Sequence, residues 1–281
     1  VDTVYTFTGW TPAVVTATAP ATYTAQFSSG TRSYTVTLPT SPVGYTVSTD
    51  DSTTLNYNAV FTFKVNLAEG YSATDDFAVK ANGTALTPDS NGNYSVTIQE
   101  NTEIAVEGVK DITAPDGDIK IQQNSVKTIL NTITFGLFFK ENVDVTITAE
   151  DAGSGVNSVA YYRSEDILTE EQVKALADGE WTEYTGTISV TAVDAEKFIY
   201  YVKVTDNAGN ASYFASNGAT FDLTDPVISG ITNEWEYYTT QTVQVTDDNL
   251  DTVTLNGQTA ASQLTLAGNV ETDTEYTITA T

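Results

Sequence analysis

Apolar and polar positions alternate with period two over many short runs. Tyr34-Thr35-Val36-Thr37-Leu38 alternates, as do 60–67, 94–98, 143–149, 198–205, 242–246 and 276–280. Each run has strand length and is bounded by Gly, Asn, Asp or Pro, so each predicts a β-strand with one face toward a core. Asn82-Gly83 and Asn256-Gly257 predict two-residue hairpin turns, and Asn91-Gly92-Asn93 a third turn. This many short strands predicts sandwiches or small barrels.

One segment breaks the period. Thr169-Glu170-Glu171-Gln172 has capping-box spacing, with Thr169 as N-cap and Gln172 reaching back to its N–H. Leu168 and Val173 occupy the hydrophobic-staple positions, Glu170 and Glu171 suit the positive end of the helix, and Gly179 is placed to stop it. A short helix is therefore expected near 169–178, crossing a sheet edge. Residues 125–131 are expected to form a second short helix and 133–139 a strand.

The chain also repeats itself. Asp111-Ile112-Thr113-Ala114-Pro115 returns as Asp222-Leu223-Thr224-Asp225-Pro226. Each copy precedes a new strand-rich stretch, and the proline restricts the residue before it, which suits a stiff joint. The likeness continues from 143–149 to 241–246 and from 199–205 to 275–281. The later copy stops before a counterpart of Asp206-Asn207-Ala208-Gly209-Asn210, so it is expected to end one turn and one strand short.

Val202-Lys203-Val204-Thr205 with Asp206–Asn210 resembles the terminal hairpin of bacterial Ig-like domains, and so does Asp151-Ala152-Gly153-Ser154-Gly155-Val156 after Thr146-Ile147-Thr148-Ala149. Tyr5-Thr6-Phe7-Thr8-Gly9-Trp10, with Ala21–Phe27, resembles the C-terminal half of the Listeria–Bacteroides repeat of internalin-like proteins. The resemblance implies tandem Ig-like β-sandwich modules in an elongated array. The expected divisions are part of such a repeat at 1–30, a small β-module at 31–110, an Ig-like sandwich at 111–225 and a C-terminally truncated one at 226–281. It further implies a surface or secreted protein of Gram-positive bacteria, extracellular or wall-associated, with a spacer role. An adhesin or carbohydrate-binding module is the alternative.

Composition narrows the chemistry. Among 281 residues there are 50 Thr and no Cys, His or Met. This excludes disulfides, Cys nucleophiles, Ser-His-Asp triads and His/Cys zinc sites. The net charge is −26, and residues 226–281 carry eight acids and no Lys or Arg. Such a surface repels phosphate backbones and anionic lipid heads, and no run of 18 apolar residues occurs. The expected partners are flanking domains of the same polypeptide, with glycan or a host surface protein under the alternative. A monomer without enzymatic activity is expected, and neither nucleic-acid binding nor membrane insertion.

Two groups of residues carry candidate chemistry. Asp151, Asp206 and Asn210 offer oxygens to calcium, and Asp116 and Asp118 lie near the same module end; a plain turn, with Gly209 at positive φ, is the competing account of Asp206–Asn210. Asp89-Ser90-Asn91-Gly92-Asn93 lacks the distal Glu of a calcium loop and reads as a turn. Trp235 and Tyr237 would share one face of a strand and stack on sugar rings, with Asp247, Asp248 or Asn249 as hydroxyl partners; the competing account packs the aromatics in the core and over the joint after Pro226. Tyr161-Tyr162 and Tyr200-Tyr201 would each place one ring in the core and one on the surface, and Trp10 and Trp181 would pack in the core or on turns.

Overall fold

A computed structural model describes residues 2–16, 18–268 and 274–281. They are almost entirely β, arranged in several sheets with sandwich packing and one α-helix among the described residues. Contacts divide the chain into two units. The first holds residues 1–114 together with 151–155 and 206–210, and the second holds 115–150, 156–205 and 211–281.

The first unit opens with the hairpin Thr3–Thr11 and Thr24–Thr31, a two-stranded sheet of its own. None of its described residues is buried. Phe7 meets Phe27 and Trp10 edge-on, each at 5.6 Å, and Trp10 is half exposed rather than in a core. The core of this unit lies farther along. A five-stranded sheet runs in the order Thr54–Asn56, Ser33–Thr37, Thr102–Asp111, Tyr71–Ala81, Thr84–Leu86, and a three-stranded sheet in the order Tyr45–Ser48, Val60–Leu67, Asn93–Thr97. Val36, Phe61, Phe63, Val79, Ile98 and Ile104 form one apolar cluster. Phe61 and Phe63 stack at 5.6 Å because residues two apart share a strand face.

One irregularity aims the functional residues. Thr102–Asp111 pairs antiparallel with Tyr71–Ala81, and the register shifts between Glu107 and Val109. Gly108 sits in this bulge at φ 72, and a Cβ there would lie 2.6 Å from the Phe77 main chain. Only glycine satisfies both demands. Beyond the bulge the strand runs on until Asp111 pairs with Tyr71.

In the second unit a four-stranded sheet (Asn124–Ser125, Asp116–Ile121, Val143–Glu150, Ile188–Val190) accompanies a seven-stranded one centred on Lys197–Asp206. Ile119, Val145, Ile147, Phe198, Tyr200, Val202 and Phe214 share one core. Ile199 and Tyr201, on the opposite face, join Leu130, Ile133, Val173 and Ala215 in another. The expectation that one tyrosine of the pair 200–201 lies on the surface is therefore wrong: Tyr200 is 2% and Tyr201 0% exposed. A second layer, built from helix α1 (Glu170–Lys174) and the turn Leu130–Thr132, supplies the partners of the outer ring. The Tyr201 hydroxyl accepts a hydrogen bond from Leu168 N at 2.7 Å, so its polar end is satisfied.

The capping box forms as the spacing predicts, with Thr169 N donating to Gln172 Oε1 at 2.8 Å and Gln172 N to Thr169 Oγ1 at 3.3 Å. Val173 is fully buried and Leu168 packs in the same cluster. The helix is shorter than expected. It ends at Lys174 with Ala175 as C-cap, and Gly179 lies in a separate 3-10 turn, Asp178–Glu180. Residues 125–131 are not a helix either. They form short bridges, Asn124–Ser125 and Lys127–Thr128, followed by the 3-10 turn Leu130–Thr132; the strand expected next is Phe135–Phe139.

The described residues of 227–281 build two three-stranded sheets around Val243, Val245, Val253, Leu264 and Leu266. Asn82-Gly83 and Asn256-Gly257 both turn with two consecutive positive φ values, as their hairpins require.

Candidate functional site

Three aspartates converge, each placed by a strand end. Asp111 closes Thr102–Asp111, Asp151 follows Val143–Glu150, and Asp206 closes Lys197–Asp206. One carboxylate oxygen from each lies within 4.8 Å of the others. Asp111 is 4% and Asp206 1% exposed, and Asp151 is half-buried. All three belong to the first unit.

Main-chain and amide donors hold this geometry. Asp111 accepts from Thr113 N at 2.9 Å and from Ser154 N at 2.7 Å. Asp151 accepts from Gly155 N at 2.6 Å. Asp206 accepts from Asn210 N and from Asn210 Nδ2, both at 2.7 Å. The Asn210 amide also donates to the carbonyls of Asp111 at 3.1 Å and Thr113 at 3.2 Å. Asn207 ties the two turns together, donating from Nδ2 to Ser154 O at 2.9 Å and Gly155 O at 3.1 Å. Gly153 lies so close to the Asp111 carboxylate that a Cβ there would collide with it.

The electrostatics follow from these donors. The Thr113 N–H holds the Asp111 carboxyl below its ordinary range, outweighing burial, with Ser154 adding to the effect. Burial pushes Asp206 up, but the Asn210 side chain and main chain more than offset it, and the net shift is downward. Among the described residues no Lys or Arg comes within ion-pairing distance of the three. The donor set is thus oxygen-only, anionic and without an internal counter-charge, which fits a hard cation such as calcium. Asp111, Asp151 and Asp206 are the residues that would hold it. Asn210 donates from N and Nδ2 to Asp206 and orients that carboxylate.

No family model matches the chain, and no curated protein matches it.

The other expected residues fall elsewhere. Asp116 pairs with Lys127 at 2.6 Å, and Asp118 accepts from Ser125 Oγ at 2.6 Å, so neither joins the triad. Asp89 accepts from Asn91 N and Asn93 N, both at 2.8 Å, and so closes a turn. Trp235 and Tyr237 are not on a strand; they lie in the loop between Val227–Ser229 and Gln241–Thr246. Trp235 is 70% exposed, so it neither enters the core nor covers the chain after Pro226. Tyr237 is half-buried, its hydroxyl accepting from Thr232 N at 2.6 Å. Asp247 and Asp248 line a depression of about 300 Å³ with Thr224, Asp225, Val227 and Thr246, and neither Trp235 nor Tyr237 lines it. Asp111 was visible in the sequence only as part of the repeated Asp-x-Thr-x-Pro segment. Its counterpart Asp222 accepts from Thr224 N at 3.3 Å and from Asn249 Nδ2 at 3.2 Å.

Proposed function

We propose that the chain is a non-catalytic structural segment of a bacterial surface or secreted multidomain protein, a spacer that presents neighbouring domains. Calcium held by Asp111, Asp151 and Asp206 fixes its main chain at 111–113. The observation that supports this most is the convergence of three carboxylates from separate segments on the stretch just before Pro115. A bound divalent cation supplies charge neutralisation and a cross-link among segments that the hydrogen bonds alone join more weakly. Calcium sites of extracellular modules work at about 10⁻⁴–10⁻³ M. That range suits a protein outside the cell and would leave the site empty in a cytosol.

Trypsin provides the test, because Lys110 is exposed and immediately precedes Asp111. Cleavage after Lys110 is expected to be slow in millimolar calcium and markedly faster in EDTA. Equal rates would remove the calcium part of the proposal. A glycan array on the full chain addresses the alternative: specific retention of a glycan would replace the spacer with a carbohydrate-binding module.

A further inference from the structure

Trp235 and Tyr238, at 70% and 63% exposure, are the most exposed large hydrophobic side chains among the described residues of 226–281. Their loop is nonetheless built. Thr232 N donates to the Tyr237 hydroxyl at 2.6 Å, and Trp235 N donates to Thr232 O at 3.3 Å. Between them Glu234 takes φ 62, a left-handed conformation that a glutamate adopts only when its surroundings impose it. The Tyr238 hydroxyl donates to Glu236 Oε2 at 3.0 Å, which sets a carboxylate beside an aromatic ring. Glu234 and Glu236 flank exposed Trp235, and exposed Tyr238 follows within the same five residues, in a stretch of eight acids and no base.

This composition discriminates among ligands. Aromatic faces and carboxylates both attract guanidinium and ammonium groups. Anionic glycans and phosphates are repelled by the same charge. A neutral sugar would stack on the rings and donate hydroxyls to the carboxylates, but it would leave their charge uncompensated. We propose that the loop Glu234–Tyr238 is a docking surface for an arginine-bearing basic segment of another protein. The charge complementarity is what commits it to this occupant. It goes beyond the spacer reading and does not depend on the acidic triad.

Fluorescence anisotropy of a labelled arginine-rich peptide with the full chain tests this, with a Gly/Ser peptide and a neutral soluble oligosaccharide as comparisons. The arginine peptide should bind, more weakly as salt is added. Trp235→Ala should lower its affinity by about tenfold, as for one partly desolvated cation–π contact, with an unchanged melting curve. The double variant Glu234→Gln/Glu236→Gln should weaken binding to a similar extent. Asp50→Asn, which removes an exposed charge from a distant part of the sequence, should leave it unchanged. Equal losses from Asp50→Asn and Trp235→Ala would reduce the effect to general polyanion attraction and overturn the proposal. So would preferential binding of the oligosaccharide, or no binding of the arginine peptide.

Discussion

The two Asp-x-Thr-x-Pro segments start from nearly the same sequence and reach different electrostatic solutions. In both, the aspartate accepts from the N–H of the threonine two residues on, closing an Asx turn ahead of the proline. At Asp111 the carboxylate is 4% exposed and faces two further carboxylates. At Asp222 it is half-buried and faces the amide of Asn249, which follows the strand Gln241–Thr246 much as Asp151 follows Val143–Glu150. A neutral amide donor completes the second arrangement by itself. The first concentrates negative charge that no Lys or Arg among the described residues offsets. The second arrangement is closed by an amide donor, whereas the first gathers three carboxylates.

The comparison breaks most visibly if the two aspartates are removed in turn. Asp111→Ala leaves the N–H groups of Thr113 and Ser154 without their part-buried acceptor, and it should lower the melting temperature by several degrees. Asp222→Ala acts at a more exposed position and should cost far less. Similar losses, followed by circular dichroism, would erase the distinction.

Acid should act on the first segment next. Asp111 and Asp206 have folded-state pKa values below their ordinary range. Their contribution to stability is therefore complete above the unfolded aspartate value of about 3.9, and it is lost as pH falls through the lowered folded values. Melting curves should be nearly flat from neutrality to about pH 5 and fall steeply below pH 4. A loss of stability beginning near pH 6 would contradict the direction assigned to these groups. A smaller effect is expected from Asn249→Asp. It sets a second carboxylate about 3 Å from Asp222 at a solvent-screened position, so it should destabilise slightly in EDTA and acquire a weak calcium response. The smallest effect is expected from Trp235→Ala, whose 70% exposure leaves little packing to lose. A fall of several degrees would show that the ring is covered.

What the sequence made legible is what local chemistry decides. The capping box at Thr169–Gln172 and the Asn-Gly hairpins involve residues at most a few positions apart, and they form as their spacing requires. The strand periods show which residues alternate, but they do not show whether a second layer covers the outer face. The pair Tyr200-Tyr201 departs from its expectation for that reason: the helix and the 3-10 turn that bury Tyr201 lie in other parts of the chain. Trp235 failed in the opposite sense, because its alternating neighbourhood belongs to a loop held by a Tyr237 hydroxyl bond that periodicity does not reveal. At the acidic site, Asp151 and Asp206 stood out as turn aspartates and Asp111 as a joint residue. Their meeting depends on the Gly108 bulge and on the close approach at Gly153, both products of the tertiary fold.

The central claim, that the meeting of Asp111, Asp151 and Asp206 calls for a cation, is tested most directly by Asp151→Asn. This change is nearly isosteric, keeps an oxygen to accept from Gly155 N, and gives the first segment the residue type of the second. Wild-type protein and variant would be melted in calcium, in magnesium and in EDTA. The account predicts that calcium, and not magnesium, raises the wild-type melting temperature by several degrees. It also predicts that the variant does not respond and is at least as stable as wild type in EDTA. Identical wild-type curves in calcium and EDTA, or a calcium response undiminished in the variant, would contradict it.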